Sequence, residues 1–215
     1  MTALVDPPKQ RRSRERFEQS LDAAEALIAA RGTIAISLPD VAAAAGLPPA
    51  SLYHYVPNAQ VLLFELARRY MARFQALAAE EVDHGQLTVW PDLFRIHCSR
   101  ALAFYHAHPV AMRLLLGAEG GWQIRSADLD ANLQIGRIQY QRLLRHFVVA
   151  GSAPLERALP VSMTIGDAIW SLSFARDGAV TDEMAAESLN ARVAYLRLYI
   201  AEHAPRRDHP LGMLP

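Results

Sequence analysis

The sequence has little cysteine, few aromatic residues and no β-branched runs. Cys98 is the single cysteine among 215 residues, which excludes an intrachain disulfide and a thiolate metal cluster. We expect it to be a small buried side chain in a helix. Aromatic residues make up 8% of the chain, and the dominant alanine, leucine and arginine are strong helix formers. These deficits predict an all-α fold.

Long apolar runs are missing as well. No stretch approaches the roughly 20 apolar residues that a membrane-spanning helix requires. The first 16 residues are charged and interrupted by prolines, where a secretory signal would be apolar. We therefore expect a cytoplasmic protein with no membrane partner.

The chain also lacks an excess of either charge. Lys and Arg number 22 and Asp and Glu number 22, so the formal net charge is zero and offers no global attraction to nucleic acid. Residues 1–84 hold nine basic and ten acidic side chains. A local surplus does occur near the N-terminus, where Glu15 is surrounded by Lys9, Arg11, Arg12, Arg14 and Arg16. Two interpretations stay open: an arm that lies on DNA phosphates, chiefly through Arg11, Arg12 and Arg14, or a solvated disordered tail.

Apolar periodicity predicts a helix from Phe17 to Arg31, which Gly32 ends. Ser37 is a suitable N-cap for a short helix from Leu38 to Ala45, and a second short helix starts at Pro49 after the break at Gly46. This layout is typical of a DNA-binding helix-turn-helix, whose second short helix enters the major groove.

The next helix is long and amphipathic, capped by Asn58 and fading near Asp83. Five more helices are predicted, at about 90–107, 110–116, 128–149, 159–175 and 181–203. We interpret residues 1–56 as a helix-turn-helix domain with a disordered arm at 1–9. Residues 57–204 form a helical bundle, and residues 205–215 are predicted to be a disordered tail.

Three residues suit the scaffold of the helix-turn-helix. Ala42 is small where two helices cross, Gly46 permits a positive φ in the turn, and Leu52 faces back toward the first short helix. The remaining side chains can face DNA, because hydroxyl and imidazole groups suit phosphates and small side chains allow approach to base edges. The predicted DNA-binding residues are Ser37, Pro49, Ala50, Ser51, Tyr53, His54 and Asn58.

Three short segments carry a family resemblance: Asp40-Val41-Ala42, Ala45-Gly46-Leu47 and Ser51-Leu52-Tyr53-His54-Tyr55. Together they resemble the signature of TetR-family transcriptional regulators, and the similarity spans roughly residues 14–74. The resemblance implies contacts to DNA from Ser37, Ser51, Tyr53 and His54. This chain departs from the family at Pro49 and Ala59, where basic residues are usual.

The resemblance further implies a C-terminal ligand-binding and dimerisation bundle. The expected function is a repressor that binds a palindromic operator on double-stranded DNA as a homodimer and is released by a small effector. Pairing of the last two helices across a two-fold axis is expected through the apolar stripes Ile165, Ile169, Leu172, Leu189, Val193, Leu196 and Ile200. The other interpretation of these stripes is that both face the core of a single chain. The alternative is a helical small-molecule-binding protein with a vestigial DNA reader.

Polar-tipped aromatic residues of the bundle are candidates for an apolar effector pocket, although such side chains more often fill a core. The candidates are Trp90, Phe94, His97, Tyr105, Met112, Trp122, Tyr140, Phe147 and Trp170. We expect no metal or other cofactor, because His97, Cys98, His106 and His108 face different directions on a helix. No nucleophile, phosphate loop or carboxylate pair indicates an enzyme. Asp167 is an isolated acid on an apolar helix, for which a basic partner or exposure is expected.

Overall fold

A computed structural model describes residues 11–212, and within that range the secondary structure consists of helices, which confirms the predicted all-α class. Nine α-helices occur there: α1 Arg11–Arg31, α2 Leu38–Ala44, α3 Pro49–Tyr55, α4 Ala59–Ala79, α5 Pro91–Ala107, α6 Pro109–Leu116, α7 Gly121–His146, α8 Ala153–Asp177 and α9 Asp182–Leu196. Short 3₁₀ turns lie at His84–Gln86 and Ala118–Gly120. No helix in this range is both long and apolar enough to cross a bilayer.

Several helices begin at the side-chain caps that the sequence predicts. The Asp40 amide donates to Ser37 Oγ at 3.2 Å, and the Val61 amide donates to Asn58 Oδ1 at 3.0 Å. The Met184 amide donates to Thr181 Oγ1 at 3.3 Å. Each cap satisfies one of the amides that a helix start leaves without an intrahelical acceptor.

Three predicted helix starts are wrong. Helix α1 begins at Arg11 and not at Phe17. Helix α7 begins at Gly121 instead of residue 128, so most of the loop expected there is helical. Helix α8 begins six residues earlier than predicted, where the Leu155 amide donates to Ser152 Oγ at 3.3 Å. Pro154 lies in its first turn, which needs no proline amide, and Pro160 is accommodated inside the helix. A prediction that treats each proline as a boundary therefore shortens this helix.

The chain divides into two compact units. Among the described residues, unit 1 comprises 11–70 and 109–125, and unit 2 comprises 71–108 and 126–212. This division differs from the predicted boundary after residue 56. A second difference is that α6, which was predicted to belong to the C-terminal bundle, lies in unit 1 and contacts α1. Nearly every α6 side chain is buried, so this short helix contributes to the unit 1 core.

Close helix contacts at two glycines organise unit 2. A Cβ atom at Gly166 of α8 would lie 2.8 Å from Ser188 Oγ and 2.8 Å from Arg192 Cδ, both on α9. A Cβ atom at Gly136 of α7 would lie 2.9 Å from the backbone nitrogen of Pro160 on α8. Both positions therefore allow neighbouring helices to approach more closely than any other residue would permit.

Residues 205–211 contradict the predicted disordered tail. The Val148 amide donates to the Pro205 carbonyl at 2.8 Å, and the Arg207 amide donates to the His146 carbonyl at 2.9 Å. Arg206 Nη1 donates to the carbonyls of His84 and Leu87. The polar composition of this segment indicated disorder, but its backbone and arginine groups find acceptors in unit 2.

Candidate nucleic-acid interface and ligand cavity

The turn between α2 and α3 depends on Gly46. Its φ of +64° is in the left-handed region, as the sequence predicts, and a Cβ atom there would meet open space. The Gly46 amide donates to the Ala43 carbonyl at 3.2 Å, and the Leu47 amide donates to the Ala42 carbonyl at 2.9 Å. These two bonds satisfy the last carbonyls of α2 in a Schellman arrangement, which sets the direction of α3.

The two short helices are held by a small apolar core and by α1. Val41, Ala42 and Leu52 are each 0% exposed. Gln19 Nε2 donates to the Ala45 carbonyl at 2.8 Å at the end of α2. At its start, Arg31 Nη1 lies 2.9 Å from Asp40 Oδ2, and the Arg31 guanidinium, helped by Ser37, lowers the pKa of that carboxyl. Helix α1 therefore ties down both ends of α2.

The outer face of α3 presents the side chains that the sequence predicts to bind DNA. Pro49, Ala50, Tyr53 and His54 are exposed and Ser51 is half-buried, while Leu52 faces the core. Ala50, Tyr53 and His54 are spaced i, i+3 and i+4, so they share one helix face. The exposed fraction of Tyr53 is 52%, which is high for an aromatic residue.

Ser37 and Asn58 are exposed as well, but each already has a structural role. Their side-chain oxygens accept from the amides that start α2 and α4. Ser37 retains its hydroxyl proton and Asn58 retains its amide N–H groups, so both can still donate to a phosphate. Substituting either would therefore change helix capping as well as any contact with DNA.

Positive charge is absent from the sequence of the two short helices. No Lys or Arg occurs from Gly32 to Gln60, and Asp40 is the only carboxylate in that span. Cations instead lie in the first turns of α1, where Arg11, Arg12, Arg14 and Arg16 are exposed. These arginines belong to a helix and not to a disordered arm, whereas Lys9 and residues 1–9 lie outside the described residues. Positive side chains at a helix start oppose the macrodipole, and a nearby phosphate would offset that cost.

Arg69 of α4 forms ion pairs within unit 1. Its Nη1 lies 2.6 Å from Asp22 Oδ1 and its Nη2 lies 2.6 Å from Glu25 Oε2, with Glu18 also within 3.6 Å. Three carboxylates thus surround one guanidinium, and this part of α1 is acidic. DNA phosphates are repelled from that side of α1, so the arginines of its first turns are the better contacts.

Unit 2 contains a cavity that is partly open to solvent, and its space, with the open part included, is about 540 Å³. Its walls come from α4, α5, α7, α8 and α9, and are formed by Met71, Phe74, His97, Ala101, Tyr105, Asp128, Ala131, Asn132, Ile135, Met163, Gly166, Asp167, Trp170, Ser188 and Arg192. A mostly apolar enclosure with a few polar groups is typical of a small-molecule site.

Three of the nine predicted pocket residues line this cavity: His97, Tyr105 and Trp170. The structure does not bring the others to it. Trp90, Phe94 and Phe147 are at most 1% exposed and form the core of unit 2, and Tyr140 packs against that core. Met112 is buried in α6 of unit 1. Trp122, at 75% exposed, extends into solvent at the start of α7.

Sequence reasoning missed most of the polar wall, of which only His97 and Asp167 were singled out. Asn132 Nδ2 donates to Asp167 Oδ2 at 2.6 Å, and both line the cavity. Arg192 is spaced three residues from Leu189 and four from Leu196, so a cation interrupts an apolar stripe. That interruption is the sequence signal that could have identified it.

The histidines considered as metal ligands have separate neighbours. Burial, together with Arg192, Arg142 and Arg100, lowers the pKa of His97 to about 3, so the ring is neutral at pH 7. His106 Nε2 donates to the Val180 carbonyl at 3.0 Å. The His108 ring lies against Phe104 with a centroid distance of 4.3 Å. Cys98 is buried, as its residue type predicts, and accepts from Arg192.

The geometry of unit 1 defines a class of protein, the helix-turn-helix DNA-binding regulators: a glycine turn joins two short helices, a third helix supports them, and the second short helix exposes polar side chains. The segment 21–66 matches the family model described as bacterial regulatory proteins, tetR family. For this segment the match confirms the TetR-family resemblance that the sequence motif predicts, and it supports DNA-binding transcriptional regulation.

Solved structures extend the likeness of fold beyond the helix-turn-helix. A TetR-family regulator from Streptomyces coelicolor is similar with a TM-score of 0.64 at 20% identity, over 86% of this chain and 99% of that one. One from Mesorhizobium loti gives 0.58 at 15% identity, over 89% and 100%. One from Haemophilus influenzae gives 0.52 at 15% identity, over 92% and 100%. A search of curated proteins finds no match.

Proposed function

We propose that this protein is a homodimeric repressor that binds a palindromic operator and leaves it when a small, mainly apolar molecule occupies the unit 2 cavity. It acts on DNA in the cytoplasm. The observation that carries the proposal is the exposed face of α3, where Ala50, Tyr53 and His54 lie on a helix anchored by the fully buried Leu52. A helix in that setting is rigid enough to enter a major groove.

Each exposed group of α3 suits a different part of DNA. The Tyr53 hydroxyl and the His54 ring can donate to phosphate oxygens, which orients the protein. Ala50 is small enough to approach base edges and thymine methyl groups, and Ser51 can bond either. Arg11, Arg12 and Arg14 provide the phosphate charge that residues 32–60 lack.

A dimer is needed because one short helix reads few base pairs. Two recognition helices must be held about 34 Å apart to reach successive major grooves on one side of DNA. The outer face of α8 supplies a candidate interface: Val161 and Leu172 are 45% and 52% exposed, and Ile165 and Ile169 between them are half-buried. These four residues recur at helical spacing and form one apolar stripe.

Release by a ligand requires that occupancy of the cavity bias the DNA-binding unit. Helix α4 starts within unit 1, and its later residues Met71 and Phe74 line the cavity of unit 2. A ligand against these two side chains would favour one position of α4 over another, which is the differential interaction that allosteric coupling requires.

The test is selection of duplexes from a random library by the full-length protein, followed by fluorescence anisotropy with the enriched sequence. We expect a two-fold symmetric consensus. Tyr53→Phe should weaken binding several-fold, since one phosphate hydrogen bond contributes about 1 kcal/mol, whereas Tyr199→Phe, a 40% exposed tyrosine of unit 2, should not. Arg14→Gln should reduce the dependence of affinity on salt.

One observation favours a second candidate function. The absence of Lys and Arg from residues 32–60 suits a small-molecule-binding protein whose DNA reader is vestigial. Under that alternative no duplex would be enriched in the selection at low salt, and Tyr53→Phe would change nothing. Enrichment of one consensus, with loss of binding in Tyr53→Phe, would exclude it.

A further inference from the structure

The cavity of unit 2 has a buried cation in its wall. Arg192 is 4% exposed, and its Nη1 and Nη2 donate to Cys98 Sγ at 3.0 Å and Gln139 Oε1 at 3.2 Å. Its guanidinium carbon lies 5.7 Å from the centre of the Phe94 ring. These partners are a thiol, an amide oxygen and a ring face, so among the described residues no carboxylate forms an ion pair with the guanidinium. A buried charge of this kind is unfavourable until an opposite charge joins it.

Unpaired polar atoms around Arg192 are all N–H donors. Arg192 Nε and Trp170 Nε1, both in the wall of this cavity, are buried without an acceptor among the described residues, and so is Nε2 of Gln139, the hydrogen-bond partner of Arg192. Buried polar atoms in native proteins nearly always have partners. Since these unpaired atoms are all donors, the partner they need is a group that accepts hydrogen bonds. An ionised carboxylate is such a group, because it accepts through two oxygens and donates none.

His97 adds to this positive character. It lines the cavity and also a smaller one of about 320 Å³, whose wall includes Arg100, Gln139 and Arg142. Burial, and after it three nearby arginines, lower the pKa of His97, so a neutral ring with one N–H donor faces both spaces at pH 7. The charged groups that act on this ring are therefore cations.

The opposite charge is also present on the cavity wall, in Asp128 and Asp167. Asp167 accepts from Asn132 at 2.6 Å, and both carboxylates have further interactions within the protein. Their needs are therefore met without a ligand, whereas those of Arg192, Gln139 and Trp170 are not. An ammonium ligand at these two carboxylates is the competing chemistry.

We propose that the cavity binds an organic acid, with its carboxylate at Arg192 and Trp170 Nε1 and its apolar body against Phe74, Tyr105 and Met163. The inference rests on the proposed function, in which this cavity is the effector site, and it specifies the class of effector. The acid adds a charge-assisted hydrogen bond at the guanidinium, which is stronger than a bond between neutral groups.

The experiment measures calorimetric binding of the full-length protein to 4-phenylbutyrate, 2-naphthoate and decanoate, each beside its primary amide and the corresponding primary amine. We expect at least one acid to bind, with an affinity about tenfold or more above that of its amide and its amine. Equal or tighter binding of the amide or the amine would overturn the proposal. So would the absence of binding by every acid at about 1 mM.

Variants locate the carboxylate. Arg192→Met keeps an apolar stem of similar length and should bind acid and amide equally, while Arg197→Met, an exposed arginine just after α9, should retain the preference for the acid. If circular dichroism shows that Arg192→Met does not fold, Trp170→Phe removes only an N–H group and should reduce the preference several-fold. An unchanged preference in a folded Arg192→Met would place the acid elsewhere and contradict the assignment.

Anisotropy on the selected duplex separates this inference from the proposed function. Acid binding without any DNA binding would contradict the repressor and leave the assignment of the cavity standing. DNA binding with no preference for acids would contradict the cavity assignment and leave DNA binding standing.

Discussion

His146 at the end of α7 is buried as a neutral ring. Its Nδ1 lies 2.9 Å from His84 Nδ1, and His84 Nε2 lies 2.9 Å from the Arg207 carbonyl. Since a carbonyl only accepts, the neutral His84 ring carries its proton on Nε2, and His146 donates to His84 Nδ1. Burial, with His84 and Arg145 nearby, lowers the pKa of His146 to about 4.

This arrangement predicts loss of stability in mild acid. Between pH 6.5 and about 4 an unfolded chain protonates His146 while the folded chain does not, so the free energy of unfolding falls as the pH falls. The loss should reach about 3 kcal/mol across that window. Urea denaturation at pH 7.5, 5.5 and 4.5 measures it.

His146→Gln should flatten the dependence on pH, whereas His209→Gln, at an exposed position, should leave it steep. The residual slope of His146→Gln reports other groups, and His97 belongs to them because its pKa is lowered too. A slope unaltered by His146→Gln would contradict the assignment of a buried neutral ring.

Substitution of Gly46 is predicted to lower stability, and the cause is its backbone conformation and not a steric clash. Its φ of +64° strains any other residue, yet a Cβ atom there meets nothing within 4 Å. Gly46→Ala should therefore cost about 1 kcal/mol of stability by strain without steric overlap. Gly212→Ala, where φ is not positive and space is open, is the control and should be neutral. Thermal denaturation that ranks Gly46→Ala as more stable than the native chain would disprove the strained turn.

At the scale of the helices, the contact of α7 with α8 can be tested by whether a Gly→Ala substitution raises or lowers stability. In an open helix position Gly→Ala stabilises by about 1 kcal/mol. At Gly136 the added Cβ would lie 2.7 Å from Pro160 Cδ and 2.9 Å from its nitrogen, and a proline ring within a helix cannot move aside. Gly136→Ala should therefore destabilise by about 2 kcal/mol.

Asp130→Ala, exposed on the same helix, is the matched control and should change stability by less than about 0.5 kcal/mol. Pro160→Ala combined with Gly136→Ala should recover part of the loss, because the obstructing ring is removed. Stabilisation by Gly136→Ala alone, measured by urea denaturation, would mean that α7 and α8 are further apart than the structure has them.

At the scale of the whole molecule, the proposed dimer makes the exposed stripe of α8 a critical surface. Leu172→Glu should convert a dimer into a monomer with little change in folding, since the side chain is 52% exposed in one chain and an unpaired charge in an apolar interface costs several kcal/mol. Analytical ultracentrifugation at about 10 μM measures the change, a concentration at which standard-sized interfaces are usually occupied.

Leu211→Glu, with an exposed fraction of 40% on the C-terminal segment, should remain a dimer. A monomeric native chain at that concentration would contradict the dimer itself. A dimer that survives Leu172→Glu would instead place the interface on another surface.

The sequence alone determined the features that depend on neighbouring residues. A helix starts where a side-chain oxygen can accept from the backbone N–H three residues later, as at Ser37, Asn58 and Thr181. The glycine turn, the buried Leu52 and the exposed α3 residues follow from spacing within nineteen residues. Local chemistry therefore identified the helix-turn-helix and its family.

Tertiary structure decided what depends on residues distant in the chain. Which aromatic residues line a cavity is set by helix packing, and Trp90 and Trp170 share a residue type but differ in neighbours. The ordered segment 205–211 depends on acceptors more than 50 residues away, and the close approach of α7 to α8 depends on Gly136 facing Pro160. Arg192 was readable as a cation within an apolar stripe. Its missing counter-charge became visible only when Cys98, Gln139 and Phe94 were found to be its partners.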